Sequence, residues 1–426
     1  MLSPLSSPVR VEPTGTLVRC EHCDLLQQVP AIAAGLVTAC RRCGSRLFAR
    51  KHDGFQRAFV LYLTALILLG IANAFPFLTL KVQGREQSSH LLSGVLDLYR
   101  EGMGEVAVAV ALFVFVFPLV KIVTGLLVVG PIAFGRRLKG AEALYRLFDQ
   151  LHPWVMMEIF LLGVLVAYTK LVDLATVEVG PALISFVALI LVTIVADSAV
   201  DPHDVWERLR PAPALPPPSP AEQRHLIGCH TCQLVSRVPD HAANERVMCP
   251  RCGSDLHRRK PDSMSRTAAL LITAAILYIP ANVYPVMTFS ALGSGAPSTI
   301  IGGVEELIAS NMWPLALIVF VASILVPMLK LLSMGYLLLS MRARSRWHLR
   351  DRTLIFRINE AVGRWSMVDV FVCAILVALV QLGSIARVIP GNGIVAFAGV
   401  VVLTMTAALC FDPRLMWDAA GANDEQ

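Results

Sequence analysis

The sequence predicts an all-α polytopic membrane protein: two tandem four-helix transmembrane bundles, each preceded by a small cytoplasmic zinc-ribbon domain. Three observations lead there: eight long apolar runs, a duplication along the whole chain, and two four-cysteine motifs at equivalent places. Of 426 residues, 55% are hydrophobic and 16% charged. A soluble domain carries roughly 25% charge, so much of this surface faces lipid.

The expected order is a flexible tail over 1–18, a ribbon over 19–54, four spans within 55–209, a Pro-rich linker over 210–224, a second ribbon over 225–262, four further spans within 263–418 and a tail over 419–426. The first 54 residues hold no apolar run of the roughly 7–15 residues a signal peptide needs, which leaves the N-terminus in the cytoplasm. The linker RPAPALPPPSP is semi-rigid and extended by composition.

The duplication is read from rare residues. Cys20, Cys23, Cys40 and Cys43 recur 209 positions later as Cys229, Cys232, Cys249 and Cys252. The same shift carries Asn73 to Asn282, Pro76 to Pro285, Pro118 to Pro327 and Lys121 to Lys330. After a two-residue insertion the shift is 211, and it maps Trp154 to Trp365, Glu158 to Asp369, Thr193 to Thr404 and Trp206 to Trp417.

A membrane helix needs roughly 20 apolar residues. Copy one offers them at about 57–80, 106–130, 154–175 and 180–200, and copy two at about 267–290, 312–341, 365–386 and 393–411. Lys and Arg concentrate before the first span of each copy and between its second and third spans. By the positive-inside rule both cysteine domains and both chain ends are cytoplasmic, and the copies share one orientation.

Each cysteine motif reads C-x2-C-x16-C-x2-C, a spacing for one tetrahedral Zn²⁺ per copy. Gly44 and Gly253 directly follow the second pair, where a tight knuckle needs a permissive backbone. A head of about 35 residues cannot bury a real core, so metal supplies much of its folding energy. The rival redox reading of C-x2-C wants a βαβ context that is missing here. His22, His230 and His241 are expected at the surface, and Cys373 and Cys410 in packing roles. Nothing favours nucleic acid.

Ionisable groups within spans are functional candidates. Depth along the helices suggests the ion pairs Lys121–Glu158 and Lys330–Asp369, the first being a structural lock. Copy two adds Ser323, Ser366 and Thr404 near Lys330 and Asp369, where copy one has Val114 and Val155 in place of the two serines. That asymmetry assigns a proton-carrying network to copy two, with Asp369 titrating and Lys330 setting its pKa. Lys170 and Asp173 are weaker extensions of the path. Asn73 with Pro76, and Asn282 with Pro285, break the first spans, as a kink or as the lining of an opening.

The four-cysteine heads, the ANAFPFLTL and ANVYPVMTF span endings, FPLVK and VPMLK, the W-x3-E/D third span and the duplication together resemble the paraquat-inducible protein A family over Arg19 to Trp417. The resemblance implies a bacterial inner-membrane protein, not an enzyme. It also implies a periplasmic tunnel partner built of mammalian-cell-entry domains, phospholipid cargo, and a polar network at Asp173, Ser323, Lys330, Ser366, Asp369 and Thr404. No G-x4-G-K-[ST] loop is present, so energy would come from an ion gradient or another subunit. A stand-alone small-molecule exporter, a membrane-anchored redox or zinc sensor, and a passive scaffold are the alternatives.

Overall fold

The computed structural model describes residues 16–29, 35–49, 54–82, 85–100, 102–136, 138–172, 176–211, 219, 222–238, 247–291, 294–380 and 386–421. It is mostly helical. Among these residues eight helices are long and apolar enough to cross a membrane: spans 1 to 4 at Gly54–Ala74, Gly104–Ala133, Ala141–Thr169 and Pro181–Ala199, and spans 5 to 8 at Ser263–Val283, Ala316–Arg342, Leu349–Leu379 and Asn392–Cys410.

The first span of each copy stops earlier than its apolar run. Proline biases the residue before it away from the helix, and after Pro76 and Pro285 the chain turns into the strands Leu78–Val82 and Met287–Ala291. Each strand is the centre of a three-stranded antiparallel sheet, with Arg85–Ser89 and Thr176–Val179 in copy one and Ser294–Ser298 and Ala386–Pro390 in copy two. The all-α expectation therefore lacks two small sheets at the end away from the cysteines. The amides of Asn73 and Asn282 donate back to the Leu69 and Tyr278 carbonyls at 2.7 and 2.8 Å, within the last turn of each helix. Gly180 and Gly391 fasten the sheets, since a Cβ on either would lie 2.0 or 2.2 Å from the carbonyl oxygen of Pro76 or Pro285.

Spans 2 and 6 share a second device. Leu112–Val116 and Val321–Leu325 wind as single π-helical turns, just before Pro118 and Pro327. Proline has no N–H for the carbonyl four residues back, and a π turn absorbs the mismatch. The carbonyls there find other donors: Phe113 O takes the Met156 N–H at 3.3 Å, and Ile324 O takes the Tyr278 hydroxyl at 3.3 Å.

Spans 3 and 7 begin as amphipathic helices, Ala141–Leu151 and Leu349–Val362, then break in 3-10 turns at His152–Trp154 and Trp365–Met367. The basic segments expected as loops between spans 2 and 3 and between spans 6 and 7 are thus partly helical. Beyond its break span 7 is buried on every side, with Val370 to Leu379 all enclosed. A helix apolar all round belongs at the centre of the protein. It packs on span 3 and on the copy-one helices Ser93–Arg100 and Gly104–Ala111, so both copies contribute to one core.

Gly163 of span 3 sets the closest approach to that central helix, since a Cβ there would meet the Phe371 Cβ at 3.0 Å and the Val372 nitrogen at 3.4 Å. Gly163→Val is expected to cost about 1–3 kcal/mol through overpacking. The check is thermal unfolding of detergent-solubilised protein followed by fluorescence-detected size exclusion, in which the variant's midpoint falls.

Candidate functional site

The eight cysteines gather into two tetrads, Cys20, Cys23, Cys40, Cys43 and Cys229, Cys232, Cys249, Cys252, with all sulfurs of a tetrad within 4.8 Å of one another. The Cys20–Cys43 and Cys23–Cys40 sulfurs lie 3.6 and 3.5 Å apart. Tetrahedral coordination at a metal–sulfur distance of roughly 2.3 Å asks for about 3.8 Å between sulfurs, so both tetrads fit one ion. Each knuckle closes with an N–H returned to its first cysteine carbonyl: Asp24 to Cys20 at 2.9 Å, Gly44 to Cys40 at 2.9 Å, Gln233 to Cys229 at 3.0 Å and Gly253 to Cys249 at 2.8 Å. All four donors have positive φ. The glycines take this readily; Asp24 and Gln233 do so as strained residues.

The heads are crossed. The first tetrad packs into a copy-two cluster with Met334, Leu337, Phe356, Phe411 and Trp417. The second packs into a copy-one cluster with Val128, Tyr145, Val205 and Trp206. The equivalent residues Arg42 and Arg251 make the pattern plain: Arg42 lies over the Trp417 ring at 5.1 Å, while Arg251 pairs with Glu207 and donates to the Arg210 carbonyl at 2.6 Å. Buried Asp24 joins the head to copy two through Arg259 at 2.8 Å and Arg414 at 3.6 Å. His22 and His230 are interface residues, not surface ones. His22 sits edge-on to Phe356, and His230 accepts from Arg414. Burial, helped by Arg357, pushes the His22 imidazole down to about 4, and burial beside Arg414 takes His230 down to about 3. Cys373 is buried within span 7. His241 lies outside the described residues.

In the membrane region, Lys121 is buried and pairs with Asp197 of span 4, not with Glu158. Its ammonium also reaches His152 Nδ1 at 3.0 Å, and the second Asp197 oxygen accepts from the Tyr62 hydroxyl at 2.8 Å. Glu158 is exposed and faces an apolar groove instead. Asp197 is the residue missed by sequence reasoning. The available signal was its spacing four residues after Thr193, which puts both on one face of span 4.

Copy two replaces all three partners. The positions equivalent to Tyr62, His152 and Asp197 are Leu271, Gly363 and Ala408. Lys330 is buried beside a cavity of about 410 Å³ that Gly363, Ala408, Asn359, Glu360 and Arg364 also line. The Lys330 ammonium presses on Gly363, where an added Cβ would stand 2.5 Å from Nζ. The π turn holding Ser323, the 3-10 turn holding Ser366 and the span 7 segment with Asp369 touch one another, and span 8 with Thr404 meets that 3-10 turn. Ser323, Ser366 and Thr404 are buried, and Thr404 donates to the Val401 carbonyl at 3.0 Å. Lys170 is helical at the end of span 3; its side chain, like all of Asp173, lies outside the described residues.

A model of the paraquat-inducible protein A family matches residues 55–210 and again 264–421. The intermembrane transport protein PqiA of Escherichia coli K12 is 36% identical over 94% of this chain and 95% of its own length. The lipophilic envelope-spanning tunnel protein A of the same organism is 31% identical over 96% of this chain and 92% of its own. The probable intermembrane transport protein of Haemophilus influenzae is 28% identical over 95% of this chain and 96% of its own. No solved structure matches the chain.

Asp197→Asn leaves the Lys121 charge buried without its anion. Removing one partner of a fully buried pair costs roughly 3–5 kcal/mol; with Asp197 partly exposed, a loss of about 2–3 kcal/mol is expected. Lys121→Met on the Asp197→Leu background recovers most of it. Thermal unfolding of the three proteins in one detergent decides the matter.

Proposed function

The chain belongs to the paraquat-inducible protein A family, and on that premise we propose that it is the inner-membrane subunit of an intermembrane lipid transport system. It loads or receives phospholipid at the base of a periplasmic tunnel protein with mammalian-cell-entry domains. The names of its relatives support transport between membranes. In this reading the chain is two tandem four-span bundles, each led by a cytoplasmic zinc ribbon.

One observation carries the mechanistic part: two equivalent buried lysines receive opposite treatment. Lys121 is neutralised by Asp197 within a fixed cluster, whereas around Lys330 the positions equivalent to that aspartate, tyrosine and histidine are Ala408, Leu271 and Gly363, and the cavity is lined by Glu360, Arg364 and His152 of copy one. A buried ammonium with no ion pair among the described residues, beside such a cavity, is poised to exchange its proton or to take an incoming anion. We assign Lys330 and Asp369 to charge movement coupled to transport, with Ser323, Ser366 and Thr404 relaying protons between them and Asp173 continuing the path. Copy one is the static frame. The bound metal supplies folding energy and a fixed head geometry, and the thiolates do no chemistry. This speaks against the sensor reading, because both tetrads are enclosed within the crossed heads.

Asp369→Asn and Lys330→Met are expected to abolish lipid transfer at normal expression; full complementation of a deletion by either would remove the proton role. Gly363→Ala drives a methyl group into the Lys330 ammonium and to 2.8 Å from the Asn359 carbonyl oxygen, and it is expected to impair transfer and to lower the unfolding midpoint. Elemental analysis of purified protein should return two zinc ions per chain, and stripping them should shift tryptophan emission to the red as Trp206 and Trp417 lose their head contacts. A coloured, iron-loaded protein would overturn the zinc assignment. Affinity isolation from native membranes with lipid identification tests the partner and cargo together.

A further inference from the structure

We infer that a groove on the outside of span 3 is a binding site for one zwitterionic phospholipid of the ethanolamine class, in the leaflet on the side of the cysteine heads. The inference rests on the lipid-transport reading above and deepens it by naming a cargo class and a place.

The groove encloses about 760 Å³ and is walled by apolar side chains of span 3, including Leu161 and Leu165. That volume lies in the range of small-molecule sites, roughly 300–1,000 Å³. Its two charged residues come from different copies: Glu158 in the first turn after the break of span 3, and Arg364 just before the 3-10 turn that opens the apolar part of span 7. Among the described residues neither has an ion pair within 4 Å; the acid that the Arg364 charge acts on is Glu360, four residues earlier, which lines the cavity beside Lys330. Trp365, half exposed, lines the groove at the same end, as an indole does at a membrane interface. Tyr168 lies at the other end. Ten residues of helix separate Glu158 from Tyr168, about 15 Å at the α-helical rise. This is half of a hydrocarbon core of roughly 30 Å, the length of acyl chain in one leaflet.

The charges define the headgroup. A guanidinium binds a phosphate ester through paired N–H donors, and a carboxylate beside it takes an ammonium. An ethanolamine phospholipid carries both charges a few atoms apart, so Arg364 holds the phosphate, Glu158 holds the amine, and the tails run along Leu161 and Leu165 toward Tyr168. An anionic lipid or a fatty acid would satisfy Arg364 and leave Glu158 repelling it. Arg364 also lines the cavity beside Lys330, so the bound phosphate lies one side chain away from the polar interior.

The test takes the full chain from mixed micelles holding equal amounts of phosphatidylethanolamine and phosphatidylglycerol and reads retained lipid by native mass spectrometry. Wild type should prefer phosphatidylethanolamine. Glu158→Gln should lower the ethanolamine-to-glycerol ratio about tenfold, as loss of one charge-assisted contact implies. Arg364→Gln should lower retention of both lipids about tenfold. Leu165→Trp fills the groove and should lower both at an unchanged ratio, while Leu191→Trp on the exposed face of span 4 changes nothing. Size exclusion of each variant confirms that it folds. A ratio indifferent to Glu158→Gln, or retention indifferent to Leu165→Trp, overturns the site. Selective binding without lipid transfer between reconstituted vesicles removes the transport reading and keeps the site; transfer without selective binding removes the site alone.

Discussion

A lysine cannot stay charged in a dry interior without an anion, water or a dipole to hold it; the cost of desolvating one ion is several kcal/mol even after relaxation. Most of what distinguishes the two halves of this chain follows from how each meets that constraint. Copy one spends three side chains on it, with Tyr62 on span 1, His152 at the break of span 3 and Asp197 on span 4 converging on Lys121. Those contacts tie span 2 to three neighbours at one depth. Copy two keeps the lysine and the backbone devices around it, the π turn before Pro327 and the 3-10 turn at Trp365, but has glycine, alanine and leucine where the partners stood. The same scaffold therefore carries a charge-paired lysine in one copy and a lysine without those three partners in the other, each copy with a cavity of about 400 Å³ at that depth.

The crossed heads give the two lysine sites a common base. Each tetrad folds around its own knuckles, yet its apolar surface is covered by the other copy. The polar contacts run both ways: Asp24 of the first head meets Arg259 and Arg414, but Arg46 of that head reaches Asp201 of copy one at 3.5 Å, and in the second head Arg259 holds Asp418 at 2.5 Å and His230 meets Arg414, both of its own copy. Gln233 of the second head donates to Glu21 of the first at 2.9 Å. The two heads thus bridge both sets of spans and touch each other, and each holds a cysteine tetrad that fits one metal ion.

The parts of this arrangement that were legible in the sequence are those encoded by one residue type or one period. Eight apolar runs became eight long helices because hydropathy over roughly 20 residues has few other solutions. The cysteines paired as their spacing required, and Gly44 and Gly253 took the positive φ foreseen for them. Span ends were less legible, because an apolar run continues past Pro76 and Pro285 into strands that bury Leu78 and Leu80. Partners across helices were the least legible. Glu158 and Asp197 were both available to Lys121, and helical depth alone did not say which faced inward; rotation about the helix axis decides that, and it is set by the packing of span 3 on the central span 7 and of span 4 on span 1. The crossing of the heads was beyond the sequence altogether, since equivalent residues of a repeat offer equivalent surfaces to either copy.

The position of Arg364 joins these threads. It lies between the apolar groove on the lipid side, which it lines with Glu158, and the cavity of about 410 Å³ beside Lys330. In copy one the position corresponding to Arg364 is Pro153, which carries no charge, and Lys121 already has its anion. The duplication has thus kept one lysine paired within its own bundle and removed the equivalent partners from the other, on the side where Arg364 lines both the lipid-facing groove and the inner cavity.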